Sequence, residues 1–363
     1  RISFFVNSGM RFVTETAKMA CFTELWNEIC LKRFKISDPK YRRFRYGMQV
    51  NSLGLTELQP ENNVYRILIQ MLPVVIAKNS RARAVQLPAW NEALGLPRPW
   101  DQQWSMRMQQ IMAYETDLLE YEDLFDNNPA VEEKVKILKD GARHELANLD
   151  SMGGAVQAIE YMKSTLVDSN ADRLNKIETN ETVVVGVNKY TSTEESPLTT
   201  GDKGIMIVDP AVENEQIDRL NQWRDGRNAE VVEKALTELN DAAKNGDNIM
   251  PASVNAAKAG VTTGEWAAIM RSVYGEYRGP TGLSKSKSNK TEGLDEIRSA
   301  VDLVSDKLGR RLKFLMGKPG LDGHSNGAEQ IAFRARDCGM EIEYQGIRLT
   351  PEQLVDAVLE TQP

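Results

Sequence analysis

Hydrophobic and polar positions follow two rhythms along the first third of the chain. "RISFFVN" at residues 1–7 is a short apolar run with strand character, and after it Phe12, Thr16, Met19, Phe22, Trp26 and Ile29 recur at helical spacing. "RYGMQVNS" reads as a second strand. It leads into "NVYRILIQMLPVVI", where Val64, Ile67, Leu68 and Met71 share one helix face. There Asn62 is the expected N-cap, and Pro73 is expected to kink or shorten the helix. "RARAVQLP" is a third short strand, and Trp104, Met108, Ile111 and Leu118 behind it predict a third long helix. Strands alternating with long crossovers imply a parallel sheet. Three such units cannot close a barrel, so they are either the tail of an eightfold βα barrel or a small open sheet.

Residues 126–190 read as helical up to the apolar run "TVVVGVNKY", with "SMGG" at 151–154 allowing a close helix approach or a break. From Thr191 to about Gly309 the character changes. A loop is followed by two helical stretches separated by "KNGDNIMPAS", then by "GPTGLSKSKSNKTEG", a connector rich in Gly, Ser and Lys. The last segment starts afresh. "RRLKFLMG" is a strand, a glycine loop leads into a helix stopped at Gly339, and "EIEYQGI" is a second strand. Thr350, Pro351 and Gln353 then form a capping box that opens a final helix. This βαβα order is the first half of a doubly wound sheet. The chain therefore reads as α/β, divided at 1–190, 191–309 and 310–363, with both ends resembling cuts from something longer.

Composition narrows the function classes. A length of 363 residues points to two domains. The net charge of -7 argues against nucleic acid as the main partner. No run of ~18 apolar residues predicts a membrane span, and no signal peptide is visible. Cys21, Cys30 and Cys338 are unclustered, as expected of reduced thiols in a cytoplasmic protein.

The chain has only 2 histidines. His144, in "GARHELANL", reads as part of a solvated helix face. His324 stands in "GKPGLDGHSNGAEQ", residues 317–330, a loop matching neither standard phosphate-binding glycine pattern. A lone loop histidine is structural by default, but Asp322 lies two residues before it. A metal-bound imidazole typically gives its second N–H to a carboxylate. Gly320, Gly323 and Gly327 leave room beside the backbone. One imidazole cannot hold a bare ion, yet it can hold a metal already ringed by a macrocycle. The loop thus points to a tetrapyrrole-type cofactor above an open α/β sheet. Trp90, Trp100 and Trp104 read as core packing, with stacking on a ligand as the alternative.

With Asp322, His324 and Gly327 in place, this loop resembles the DxHxxG cobalamin signature of adenosylcobalamin-dependent acyl-CoA mutases, the methylmalonyl-CoA mutase family. The resemblance implies that His324 is the axial cobalt ligand and Asp322 its hydrogen-bonded partner. It places Lys318 close by and has Gly323, Ser325, Asn326 and Gly327 line the corrin. "RISFFVNSGMRFVTETAKM", "LTELQPENNVYR", "WNEALGLP", "SMGGAVQAIE" and "VVVGVNKY" are similar to the second part of the family's catalytic barrel. On that resemblance the three βα units are the last of a (β/α)8 TIM barrel. A helical linker and the first βαβα of a flavodoxin-like cobalamin-binding domain follow. Arg1 and Ser3 match a strand that contacts the acyl-CoA. Gln49 and Glu92 are the implied catalytic residues, Gln49 facing the reaction chamber and Glu92 holding the adenosyl ribose.

The implied reaction is a radical 1,2-shift of the thioester group within an acyl-CoA, by a homodimer that needs neither nucleic acid nor membrane. Gly47 and Pro88 depart from the histidine and asparagine of methylmalonyl-CoA mutases. Together with "VQLPAWNEALGLPRPWDQQW" they resemble the family's ethylmalonyl-CoA branch, whose product would be methylsuccinyl-CoA. The alternatives are a mutase acting on methylmalonyl-CoA or a branched acyl-CoA, and a cobalamin carrier, which would not need Arg1, Gln49 or Glu92.

Overall fold

The computed structural model describes residues 2–80, 82–199, 204–277, 294–321 and 323–363. Strands β1 (Phe4–Ser8), β2 (Tyr46–Val50) and β3 (Ala84–Gln86) form one parallel sheet in that order. Each strand is followed by a helix: α1 (Phe12–Lys32), α2 (Asn62–Ile76) and α3 (Pro99–Tyr114). Because strand side chains alternate, one face of the sheet carries Phe4, Val6, Tyr46, Met48, Val50 and Val85. These pack on Met19 of α1, on Ile67, Met71 and Val74 of α2, and on Met112 of α3. Full burial of each such side chain contributes about 1.5–3 kcal/mol, so this face fixes the sheet against its helices.

Local details differ from the sequence reading for identifiable reasons. Asn62 is not the cap of α2. The chain is already helical at Glu61 (φ -55°, ψ -32°), and tight turns pair the N–H groups of Asn62, Asn63 and Val64 with the carbonyls of Gln59, Pro60 and Glu61. With those donors satisfied no side-chain cap is required. Pro73 falls in the last turn, where the helix runs on to Ile76. Between α4 (Pro129–Ser151) and α5 (Ile159–Glu178), "SMGG" acts as a break, with Gly153 at φ +94° and Gly154 at φ +96°. α4 lies on α1 through Val131, Val135, Ala17 and Cys21. "TVVVGVNKY" is an ordered loop, not the end of a helix. The Asn188 side chain accepts from the Val184 N–H and donates to the carbonyls of Ile177 and Thr182.

Ile207–Gly279 forms a compact unit of its own, and Arg1–Met206 with Pro280–Pro363 forms the other. The smaller unit contains α6 (Pro210–Gly226), α7 (Ala229–Asn245), α8 (Ile249–Ala259) and α9 (Thr263–Tyr274), where the sequence predicts two helical stretches. "KNGDNIMPAS" does not remain a separator. Asn248 caps α8 by accepting from the Met250 N–H, and Pro251 falls in the first turn, where no intrahelical donor is needed. Val232, Ala235, Leu239 and Ala243 of α7 supply the buried face.

Arg227 donates to both carboxylate oxygens of Glu265, which also accepts from the Thr262 N–H and hydroxyl. Arg227 above all, against the opposing pull of burial, lowers the Glu265 carboxyl to about 2. Its stabilisation is complete above the ordinary glutamate value of 4.5 and fades as pH falls toward 2. Acid titration of helical circular dichroism should therefore show a shallower loss between these values in Arg227→Met than in the parent. Equal slopes would assign the acid sensitivity to other carboxylates.

After α10 (Asp295–Leu308) come β4 (Lys313–Pro319), α11 (Asn326–Asp337), β5 (Glu341–Leu349) and α12 (Pro351–Thr361). β4 and β5 pair in parallel as a separate sheet. Thr350 and Gln353 form the predicted capping box, with Pro351 at the first helical position. The connector "GPTGLSKSKSNKTEG" lies outside the described residues. No described helix is long and apolar enough to cross a membrane.

Candidate active site

Register places Asn7, Gln49 and Gln86 in one row across β1, β2 and β3, on the face opposite the core. Asn7 and Gln86 are exposed and Gln49 is half-buried. Beside this amide row Phe5 lies over Gly47. A Cβ at Gly47 would stand 2.8 Å from the Phe5 ring, which is 60% exposed. This face therefore carries three amide side chains beside the Phe5 ring. Ser3 is not in the row; it precedes β1, and its hydroxyl donates to the Arg45 carbonyl at 3.3 Å. Arg1 lies outside the described residues.

Glu92 is exposed in the loop after β3, while its neighbours Leu87 to Asn91 are buried. Trp90 is fully buried and packs on Trp104 at 5.9 Å between ring centroids; Trp100 stays 41% exposed beneath the Arg98 guanidinium. The peptide carbonyl of Trp90 accepts from Asn63 Nδ2 at 2.9 Å. Asn63 in turn accepts from Arg66, whose second nitrogen reaches the Val185 carbonyl at 2.7 Å.

The other cluster is the loop between the carboxyl end of β4 and the start of α11. His324 and Gly323 are exposed on it, and Ser325 is half-buried at the head of the helix. Lys318 Nζ donates to the His324 carbonyl at 3.1 Å, holding the backbone and leaving the imidazole ring outside that bond. Gly320 is left-handed at φ +90°. A Cβ at Gly320 or Gly327 would meet nothing within 4 Å, whereas one at Gly323 would stand 2.6 Å from the Arg348 guanidinium. Asp322 lies outside the described residues, and of Asn326 only the backbone is described, in the first turn of α11. Below the loop Glu329 is 5% exposed and pairs with Lys163 of α5 at 3.0 Å. Burial first, and the Glu329 charge second, push the Tyr344 hydroxyl up to about 12.

The structure thus gathers its chemistry at two sheets: an amide row with Glu92 at β1–β3, and a histidine loop at β4. The described residues contain no group of three or more His, Cys, Asp or Glu side chains able to cage an ion. Neither Gly320 nor Gly327 has a neighbouring described atom within 4 Å of where a Cβ would stand, so the backbone at both positions is uncovered.

A profile of the methylmalonyl-CoA mutase family matches residues 1–276. The chain belongs to that family. Over 355 residues it is 69% identical to an ethylmalonyl-CoA mutase of Cereibacter sphaeroides, covering 98% of this chain and 54% of that protein. Over 357 residues it is 57% identical to an ethylmalonyl-CoA mutase of Methylorubrum extorquens, covering 98% and 52%. With a methylmalonyl-CoA mutase of Cereibacter sphaeroides identity falls to 30% over 359 residues, covering 97% and 50%. The chain spans about half the length of the curated relatives it matches. In this family member Asn7 and Gln86 stand beside Gln49, Arg348 stands against Gly323, and the fully buried Asp101 lies behind the loop that carries Glu92; none of the four is singled out by the sequence reading. Strand alternation could have found Asn7 and Gln86, because both fall in phase with Gln49. For Arg348, held at φ +59°, no sequence signal exists.

Proposed function

We propose that this chain is part of an adenosylcobalamin-dependent mutase converting ethylmalonyl-CoA to methylsuccinyl-CoA. The observation that carries the substrate assignment is the contrast between two relatives from one organism: 69% identity to the ethylmalonyl-CoA mutase against 30% to the methylmalonyl-CoA mutase. In this reading β1–β3 are an arc of a (β/α)8 barrel, and the bare amide-lined face is the wall of its chamber. β4 to α12 form the first half of a flavodoxin-like cobalamin-binding domain, with its loop at the carboxyl end of the strand, where open α/β sheets bind ligands.

The His324 imidazole would hold the cobalt of the cofactor, and Asp322 would fix its tautomer. Gly320 and Gly327 would let the backbone approach the corrin ring, with Lys318, Gly323, Ser325 and Asn326 around it. When bound, adenosylcobalamin supplies the radical chemistry that a carbon-skeleton shift requires. The chain's own task is to hold groups in register and exclude water. Gln49, flanked by Asn7 and Gln86, would hydrogen-bond the acyl group in the chamber. Ser3 and Arg1 would contact the CoA portion, and the exposed Glu92 carboxylate would receive the adenosyl ribose hydroxyls. A carrier would have no use for this second set.

The test is turnover of ethylmalonyl-CoA against methylmalonyl-CoA by the complete protein with adenosylcobalamin. One methylene in a pocket is worth roughly 10–200-fold, so kcat/KM should favour ethylmalonyl-CoA by at least about tenfold. The reverse preference would transfer the assignment to methylmalonyl-CoA.

A further inference from the structure

Several contacts of the loop after β3 converge on one buried carboxylate. Asp101, at the third position of α3, is fully buried. Its Oδ1 accepts from Trp90 Nε1 at 2.8 Å, and its Oδ2 accepts from Asn91 Nδ2 at 2.8 Å and from the Arg98 N–H at 2.7 Å. Arg98 Nε adds a bond to Oδ2 at 3.1 Å. Burial opposes ionisation, but these donors outweigh it and hold the Asp101 carboxyl below its ordinary value. Asn91 Nδ2 also donates to the Gly204 carbonyl at 2.6 Å, and Ser105 Oγ to the Pro88 carbonyl at 2.7 Å. Within the loop the Glu92 N–H closes a turn onto the Ala89 carbonyl, and the Leu94 and Gly95 N–H groups return to the Asn91 carbonyl. Pro88, Trp90 and Asn91 are thereby fixed, and the side chain of Glu92, the next residue, is exposed.

We propose that Asp101 is a positioning residue: through Trp90 and Asn91 it fixes the backbone from which Glu92 reaches the adenosyl group. This rests on the reading of Glu92 given above. Asp101 touches no ligand itself. Its carboxylate suits the place because five N–H donors converge on two oxygens, the fifth being Arg98 Nη2 on Oδ1 at 3.3 Å. An asparagine would turn an N–H toward either Trp90 or Asn91 and Arg98, leaving buried donors opposed.

The experiment uses the complete protein carrying Asp101→Asn, Glu92→Gln, and both. Without cofactor, amide exchange in residues 89–95 should accelerate about tenfold or more in Asp101→Asn, with the amides of β1 and β2 unchanged. With cofactor, cobalamin affinity and acyl-CoA KM should stay within about twofold while kcat falls roughly 10–100-fold, the cost of a displaced reacting group. In the Glu92→Gln background Asp101→Asn should cost nothing further, since both changes act on one contact. An equal loss of kcat in both backgrounds, or an unchanged loop exchange, overturns the proposal and leaves the role of Glu92 standing. An unaltered kcat in Glu92→Gln alone overturns the reading of Glu92, and the proposed purpose of Asp101 with it. If Asp101→Asn does not fold, Asn91→Ser removes the Nδ2 bonds to Asp101 and to the Gly204 carbonyl, keeps the Arg98 and Trp90 bonds to Asp101, and passes through the same cycle with the same expectations at smaller amplitude.

Discussion

Alanine at His324 should abolish high-affinity cobalamin binding by the complete protein while leaving its thermal midpoint unchanged. The two outcomes separate because of where the structure puts the ring. The side chain is exposed, and the loop is tied through the His324 carbonyl to Lys318 Nζ, a bond that alanine retains. Substitutions at exposed positions usually change stability by less than about 0.5 kcal/mol. Removing a metal's protein ligand is far more costly than altering its hydrogen-bonded partner, which itself costs roughly 10–100-fold in affinity. A loss exceeding about 100-fold is therefore expected for His324→Ala, and a loss within that 10–100-fold range for Asp322→Asn. Added imidazole should partly restore binding to His324→Ala, because the donor atom and not the backbone has been lost. Unchanged affinity with an unchanged visible spectrum would remove His324 from the metal and leave the loop without its proposed role.

Much of the fold was legible because it rests on periodicity. β1, β2, β4, β5 and their helices follow from apolar alternation, and α12 from a local capping box that needs no tertiary help. What was not legible depends on local turn geometry in some places and on partners distant in sequence in others. Asn62 lost its capping role because Gln59 and Pro60 had already turned the chain into the helix. "MPAS" joined a helix because Asn248 caps it and proline is tolerated in a first turn. Gln49 was found, but its row was not, since Asn7 and Gln86 become its neighbours only through strand register. Asp101 reads in sequence as an ordinary acidic residue near a helix start. Arg98 reaches it locally, three residues away across the helix start, and only the fold brings Trp90 and Asn91 onto it.

Gly317 shows the same division within one motif, and it carries the second large expectation. In sequence it leads the glycine loop and invites a ligand-binding reading. In the structure it is a packing residue of β4. A Cβ there would collide with Leu354 of α12 and stand 2.7 Å from Leu349 of β5. Gly317→Val should therefore cost ~1–3 kcal/mol or more by overpacking and lower the thermal midpoint by roughly 5 °C. Because Lys318 is the next residue and holds the His324 carbonyl, cobalamin affinity should fall as a consequence of the displaced strand.

Gly327→Ala is the counterpart. Its Cβ meets nothing within 4 Å, and it lies inside α11. Alanine should stabilise the fold by about 0.5–1 kcal/mol. If the corrin occupies the open space beside it, the same methyl group should still weaken cobalamin binding. Opposite signs for stability and affinity at Gly327, against a joint loss at Gly317, distinguish a glycine that makes room for a ligand from one that makes room for leucines. A Gly327→Ala protein binding cobalamin as tightly as the parent would place the corrin elsewhere.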